Sequence, residues 1–166
     1  MSATQSTWSI TSDSTEQTHG IGRALGQLAR AGDLIGLIGE LGAGKTQLVR
    51  GIAVGLGIDP AAVASPTFVL MHEYPNPTGG PLLVHIDAYR LTGSDDLETI
   101  GWERDGGEFA RDAVVVVEWA DRLGDAFENS GLLVKLEHAS PHARRLTVEP
   151  GRAWRDRFNM LIRNAP

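Results

Sequence analysis

The apolar positions of this chain change period several times, and each change marks an element. Residues 8–11 read as a short strand. Ser14 and Gln17 stand three apart just ahead of an apolar run, a capping box that predicts a helix start. Ile21, Leu25 and Leu28 then recur at helical spacing, and Gly32 supplies a stop before residues 34–38, an unbroken apolar run that reads as a buried strand. A glycine-rich stretch follows. Beyond it Leu48, Ile52 and Leu56 line one face of a second helix, with Gly55 and Gly57 predicted to end it and Pro60 just beyond.

In the second half, residues 67–73 and 82–86 read as strands joined by Pro75-Asn76-Pro77-Thr78-Gly79-Gly80, and their pairing is expected to be antiparallel. Residues 92–112 are acidic and glycine-containing, which predicts a mobile surface segment with one short helix near 95–100. Residues 113–117 are small or β-branched without alternation, the pattern of a strand covered on both faces in the middle of an α/β sheet. Later strands are expected at 132–136 and 145–148, around a turn at Ser140-Pro141-His142, with a final helix near 152–162. There is no internal repeat.

A length of 166 residues suits one domain, so a single domain over 1–166 is expected: a flexible stretch at 1–7, a core at 8–150, and a C-terminal helix and tail at 151–166. The absence of cysteine excludes disulfides, thiol nucleophiles and thiolate metal ligation, and fits a reducing, cytoplasmic location. No targeting segment or apolar run of membrane-spanning length is read. Net charge is −6, but six of the arginines fall between Arg144 and Pro166 against only Glu149 and Asp156, giving a tail of +4 on a body of −10. Extensive nucleic-acid binding by this chain alone is therefore not expected, and the arginines read as a solvated helix face.

The glycine-rich stretch is Gly39-Glu40-Leu41-Gly42-Ala43-Gly44-Lys45-Thr46, the G-x-x-x-x-G-K-[ST] pattern between a strand and a helix. Its glycines let successive backbone N–H groups turn inward around phosphate oxygens. Lys45 is placed to reach the β- and γ-phosphates, Thr46 to offer its hydroxyl to Mg²⁺, and the helix start to aim its positive dipole end at the anion. Magnesium also needs a carboxylate near the C-terminal end of a buried strand, and two acids qualify. Glu118 closes the run 113–117, and Asp87 closes 82–86; spacing does not choose between them. The absence of an Asn-Lys-x-Asp guanine-reading motif favours ATP over a guanine nucleotide.

Ser65-Pro66-Thr67-Phe68 stands where related enzymes sense a γ-phosphate, with Thr67 as the available hydroxyl, although a turn and strand start explain it more simply. His85 reads as a core or interface residue, and none of the histidines has metal-ligand spacing. Strand alternation turns Trp119 away from Glu118, leaving packing or a contact with nucleotide or partner.

Taken in order, the phosphate loop, Ser65-Pro66-Thr67-Phe68, His85-Ile86-Asp87-Ala88-Tyr89-Arg90 and Glu118-Trp119 closely resemble the TsaE (YjeE) family, from about Ser14 to Val148. These are small bacterial ATPases required for threonylcarbamoyladenosine, the modified base beside the anticodon of tRNAs that read ANN codons. The resemblance implies an α/β P-loop NTPase-like three-layer sandwich with a largely parallel central sheet and antiparallel additions. It also implies the partners TsaB and TsaD, with the ATPase driving or resetting their complex. Carried onto this chain, Glu40, Leu41, Gly42, Ala43, Gly44, Lys45 and Thr46 hold ATP, while Thr46 and Glu118 serve Mg²⁺. Lys45, Thr67, Asp87 and Glu118 are catalytic, Trp119 is functionally important, and Thr15, Thr18, Arg144 and Arg145 fall near the nucleotide. Thr15 and Arg145 are the two taken as contacts. Glu40 stands where the family often has Asp, and Ala120 where a proline commonly follows the tryptophan. Two rival activities use the same loop: a small-molecule kinase, which would need an arginine-rich lid that 92–112 lacks, and a nucleotide-gated binding module with negligible turnover.

Overall fold

A computed structural model describes residues 7–64, 70–92, 94–102, 108–126 and 131–163. The segment from Ser65 to Phe68, with Thr67, lies outside these described residues. Among the described residues seven strands form one sheet: β1 (Trp8–Ser12), β2 (Leu34–Ile38), β3 (Met71–Tyr74), β4 (Leu82–Asp87), β5 (Ala113–Glu118), β6 (Leu132–His138) and β7 (Arg144–Pro150). Their order across the sheet is β1-β7-β6-β2-β5-β4-β3. The middle four, β6-β2-β5-β4, are parallel. Antiparallel pairs flank them, β7 and β1 on one edge and β3 on the other.

Among the described residues four α-helices accompany the sheet: α1 (Thr15–Leu28), α2 (Lys45–Leu56), α3 (Ser94–Thr99) and α4 (Arg155–Arg163). The two faces carry separate cores. Leu25 of α1, Leu48 and Ile52 of α2, and Trp154 and Phe158 at α4 cover one face; Leu91, Trp102, Ala110 and Leu123 cover the other. This is the three-layer α/β sandwich that the resemblance implied. β5 explains its own sequence: Val114 and Val116 face the first core, Ala113, Val115 and Val117 the second. Each fully buried valine contributes roughly 1.5–3 kcal/mol, so neither face tolerates polar alternation.

α1 begins as its sequence directs. Ser14 Oγ accepts from the Gln17 N–H at 3.1 Å, and the Gln17 side chain returns to the Asp13 N–H at 2.7 Å, one residue earlier than the ideal box. Gly55, expected to help end α2, instead lies within it; α2 ends at Leu56, and Gly57 takes the left-handed capping position at φ 90°. Gly55 serves close helix contact. Gly22 and Gly26 of α1 meet Gly51 and Gly55 of α2, and a Cβ at Gly26 would stand 2.2 Å from the Ile52 carbonyl oxygen. The matched order of these contacts makes the two helices parallel, so the start of α1 lies beside the start of α2.

Two other expectations need correction. Residues 92–112 are not merely a surface segment, because Trp102 and Ala110 are buried against the outer face of β4 and β5. The arginine-rich end is not wholly a solvated face either. Arg157 makes a bidentate pair with buried Asp33, both contacts at 2.7 Å, and also donates to the Leu28 carbonyl. Asp33 Oδ2 accepts in addition from the Arg30 N–H.

Candidate functional site

The loop between β2 and α2 is shaped by Gly42 and Gly44, at φ 76° and 101°. A residue with a Cβ would meet a cost of roughly 1–2 kcal/mol at each. The first intrahelical bond of α2 runs from the Leu48 N–H to the Gly44 carbonyl. The N–H groups of Lys45, Thr46 and Gln47 therefore have no helical acceptor and point out of the helix start, where the dipole favours an anion. Ala43 is fully buried beneath the loop, whereas Glu40 and Leu41 are exposed.

Lys45 lies back along the loop, donating to the carbonyls of Gly39 at 2.6 Å and Glu40 at 2.8 Å. Burial pushes its ammonium below the usual lysine range, and the carboxylates of Glu118, Asp87 and Asp121 oppose that shift. Across the loop, β4 and β5 run parallel in a register that pairs Asp87 with Glu118. Thr46 Oγ1 donates to Glu118 Oε1 at 2.8 Å, which leaves the hydroxyl lone pairs free for a cation. Burial raises the Asp87 carboxyl above its ordinary value and the Glu118 charge adds to this, while a hydrogen bond from the Tyr89 N–H, His85 and Lys45 oppose it. Gly42, Gly44, Lys45, Thr46, Asp87 and Glu118 line one cavity of about 300 Å³.

One residue departs from the strand alternation. Trp119 does not turn away. It has φ 59°, the one non-glycine residue at positive φ among the described residues, and this bend carries its ring to 4.0 Å from the Lys45 ammonium. Tyr89 lies 5.0 Å from that ring, and the Arg122 guanidinium lies 4.9 Å from Tyr89. Arg145 is exposed on β7, opposite Thr11 and Glu137; it is Arg144 that reaches the loop, donating to the Gly42 carbonyl at 3.3 Å. Thr15 is exposed in the first turn of α1, one turn ahead of His19, whose Nε2 lies 2.8 Å from Gln47 Oε1 on α2. Thr18 is buried and bonded to Ser12.

His85 is the residue the sequence reading undervalued. It is fully buried, with Nε2 2.9 Å from Glu118 Oε1. The available signal was its position two residues before Asp87, which places both on one face of β4.

The same geometry bears on Mg²⁺. Among the described residues there is no group of three His, Asp or Glu side chains able to hold a metal. Thr46 and Glu118 supply oxygen only, and Mg²⁺ is commonly held by one or two such ligands with phosphate oxygens and waters completing its octahedron. The donor set fits. Also among the described residues, no helix is long and apolar enough to cross a membrane.

The chain as a whole is similar to known proteins. A family model described as threonylcarbamoyl adenosine biosynthesis protein TsaE matches residues 12–146. The tRNA threonylcarbamoyladenosine biosynthesis protein TsaE of Streptomyces coelicolor is 42% identical over 140 residues, covering 81% of this chain and 91% of that one. Its Bacillus subtilis namesake is 34% identical over 146 residues, covering 88% and 85%. The crystal structure of Bacillus subtilis YdiB superposes with a TM-score of 0.74 at 27% identity, covering 98% of each chain. A family model that matches residues 12–146, with relatives 34–42% identical along most of the chain, places this protein, with its glycine-rich loop facing two strand-end acids, in the TsaE family of threonylcarbamoyl adenosine biosynthesis proteins.

Proposed function

We propose that this chain is a magnesium-dependent ATPase that acts with TsaB and TsaD in the cytoplasm, driving or resetting the complex that forms threonylcarbamoyladenosine on tRNAs that read ANN codons. The observation that carries the reading is the convergence of Lys45, Thr46, Asp87 and Glu118 on one cavity at the mouth of the loop. The backbone N–H groups at the start of α2 bind phosphate oxygens, and Lys45 leaves its two loop carbonyls to neutralise the β- and γ-phosphates. Thr46 and Glu118 hold Mg²⁺, which when bound draws charge from the phosphate oxygens. Glu118 or Asp87 orients the attacking water, and the loop donors stabilise charge that develops on the leaving phosphate. Thr67, Thr15 and Arg145 remain assigned to the surroundings of the nucleotide by family resemblance alone.

The test is ADP formation from ATP with Mg²⁺, by the chain alone and then with TsaB and TsaD from the same organism. Turnover that rises with the partners supports the reading. Lys45→Ala should abolish nucleotide binding or turnover, and Glu118→Gln should keep most binding at saturating Mg²⁺ while losing hydrolysis. Tight binding with no turnover in any combination would instead favour a nucleotide-gated binding module.

A further inference from the structure

His85 presents two ring nitrogens to a buried environment, and among the described residues only one has a partner. Nε2 lies 2.9 Å from Glu118 Oε1, whereas Nδ1 is buried without a hydrogen bond. A proton on Nδ1 would be an unpaired buried donor, at a cost of about 1–3 kcal/mol. The tautomer that avoids this carries its proton on Nε2 and donates to Glu118. Oε1 then accepts twice, from His85 Nε2 and from Thr46 Oγ1.

We propose that His85 is a positioning residue, which pins Oε1 of Glu118 from beneath the site and so turns Oε2 towards the phosphate-loop cavity. The strands supply the geometry. Leu83, His85 and Asp87 share one face of β4, and Val114, Val116 and Glu118 share the same face of β5, with His85 paired to Val116 two residues before the Asp87–Glu118 pair. His85 thus approaches Glu118 from the sheet side, while Thr46 approaches from the start of α2. A carboxylate held through one oxygen by two donors on different elements loses its freedom to rotate. Its second oxygen is then fixed where a metal ion or a metal-bound water needs an acceptor. A histidine kept only to fill the core would be replaceable by an apolar side chain of similar volume. This inference rests on the reading of the cavity as a magnesium-nucleotide site.

The test compares His85→Leu, His85→Gln and His85→Asn in the full-length chain. The Gln amide reaches the position of Nε2 and can donate to Oε1; the shorter Asn amide occupies the position of Nδ1 and cannot. The readout is the Mg²⁺ concentration that gives half-maximal binding of a fluorescent ATP analogue, beside binding in EDTA and thermal unfolding. His85→Leu and His85→Asn should need about tenfold more Mg²⁺ with unchanged binding in EDTA, and His85→Gln should stay within a few-fold of wild type. If His85→Leu does not fold, the Gln and Asn pair decides alone. Wild-type Mg²⁺ dependence in His85→Asn, or equal impairment of Gln and Asn, overturns the proposal. Because turnover is not the readout, a wild type that binds Mg²⁺ and nucleotide without hydrolysis would refute the ATPase and leave the role of His85 standing. A wild type whose nucleotide binding ignores Mg²⁺ would refute both.

Discussion

The ammonium of Lys45 lies 4.0 Å from the centre of the Trp119 ring, and the bend of Trp119 at φ 59° is what puts the ring there. A contact of this type contributes roughly 0.5–2 kcal/mol, and the same ammonium donates to two loop carbonyls. A bound triphosphate would compete for all three. Moving Lys45 from the ring face alters the field on the indole, so tryptophan emission should change on ATP addition. The change should vanish in Trp119→Phe although Trp8, Trp102 and Trp154 remain. A Trp119→Phe protein that keeps the full response would show that the signal, and with it the displacement of Lys45, arises elsewhere.

The α1–α2 contact separates glycines that look alike in sequence. Gly20 lies in α1 with open space for 4 Å around the position a Cβ would take, so Gly20→Ala should stabilise by about 0.5–1 kcal/mol through helix propensity. At Gly26 the added methyl would meet the Ile52 carbonyl at 2.2 Å, and at Gly55 the Arg23 carbonyl at 2.3 Å, both backbone atoms that cannot move aside cheaply. Overpacking there should outweigh propensity and destabilise by about 1–3 kcal/mol. Urea unfolding of the three alanine variants checks the signs. A stable Gly26→Ala would mean the helices are farther apart than these distances allow.

The elements legible in the sequence were those specified locally. The runs at 34–38 and 113–117 are buried on both faces, so hydrophobicity without alternation was sufficient to find them, and the glycine-rich loop carries its own pattern within eight residues. What was not legible depends on neighbours distant in the chain. Gly55 reads as a stop until α1 lies against it. His85 reads as core until β4 is placed beside β5. Arg144 and Arg145 differ by one residue, and on a strand that difference decides which face each side chain takes. Trp119 defeats periodicity altogether, since one positive φ ends the alternation directly after Glu118. The Asp33–Arg157 pair spans 124 positions and leaves no local trace.

That pair makes its own prediction. Asp33 and Arg157 are both largely buried, joined bidentately, and each also bonds to backbone that closes the end of α1. Arg157→Met would keep much of the volume over Trp154 yet leave the Asp33 carboxylate, among the described residues, with only the Arg30 N–H. Removing one partner of a buried pair costs about 3–5 kcal/mol, whereas replacing both by apolar groups is often near neutral. Arg157→Met should therefore lower stability by several times more than Asp33→Leu combined with Arg157→Met lowers it beyond Asp33→Leu alone. Chemical denaturation of the double-mutant cycle measures that coupling, and additive effects would mean the pair is spectator to the docking of α4.

The acid at the end of β4 sets a pH dependence whose sign is fixed by the direction of its shift. Burial and the neighbouring Glu118 raise the folded-state value of Asp87 above the unfolded one. Its contribution to stability is therefore fully present below the unfolded value, about pH 4, and is lost as pH rises through the raised folded value. Asp87→Asn cannot ionise, yet its side-chain oxygen can still accept from the Tyr89 N–H. The variant should match wild type in thermal stability at the acid end of that window and exceed it above the folded value, with the gap opening between. Paired melting curves from about pH 4 to about pH 8 read this directly. A gap that is constant across the range would show that Asp87 ionises as freely in the folded protein as in the unfolded chain, and that its closeness to Glu118 carries no electrostatic penalty.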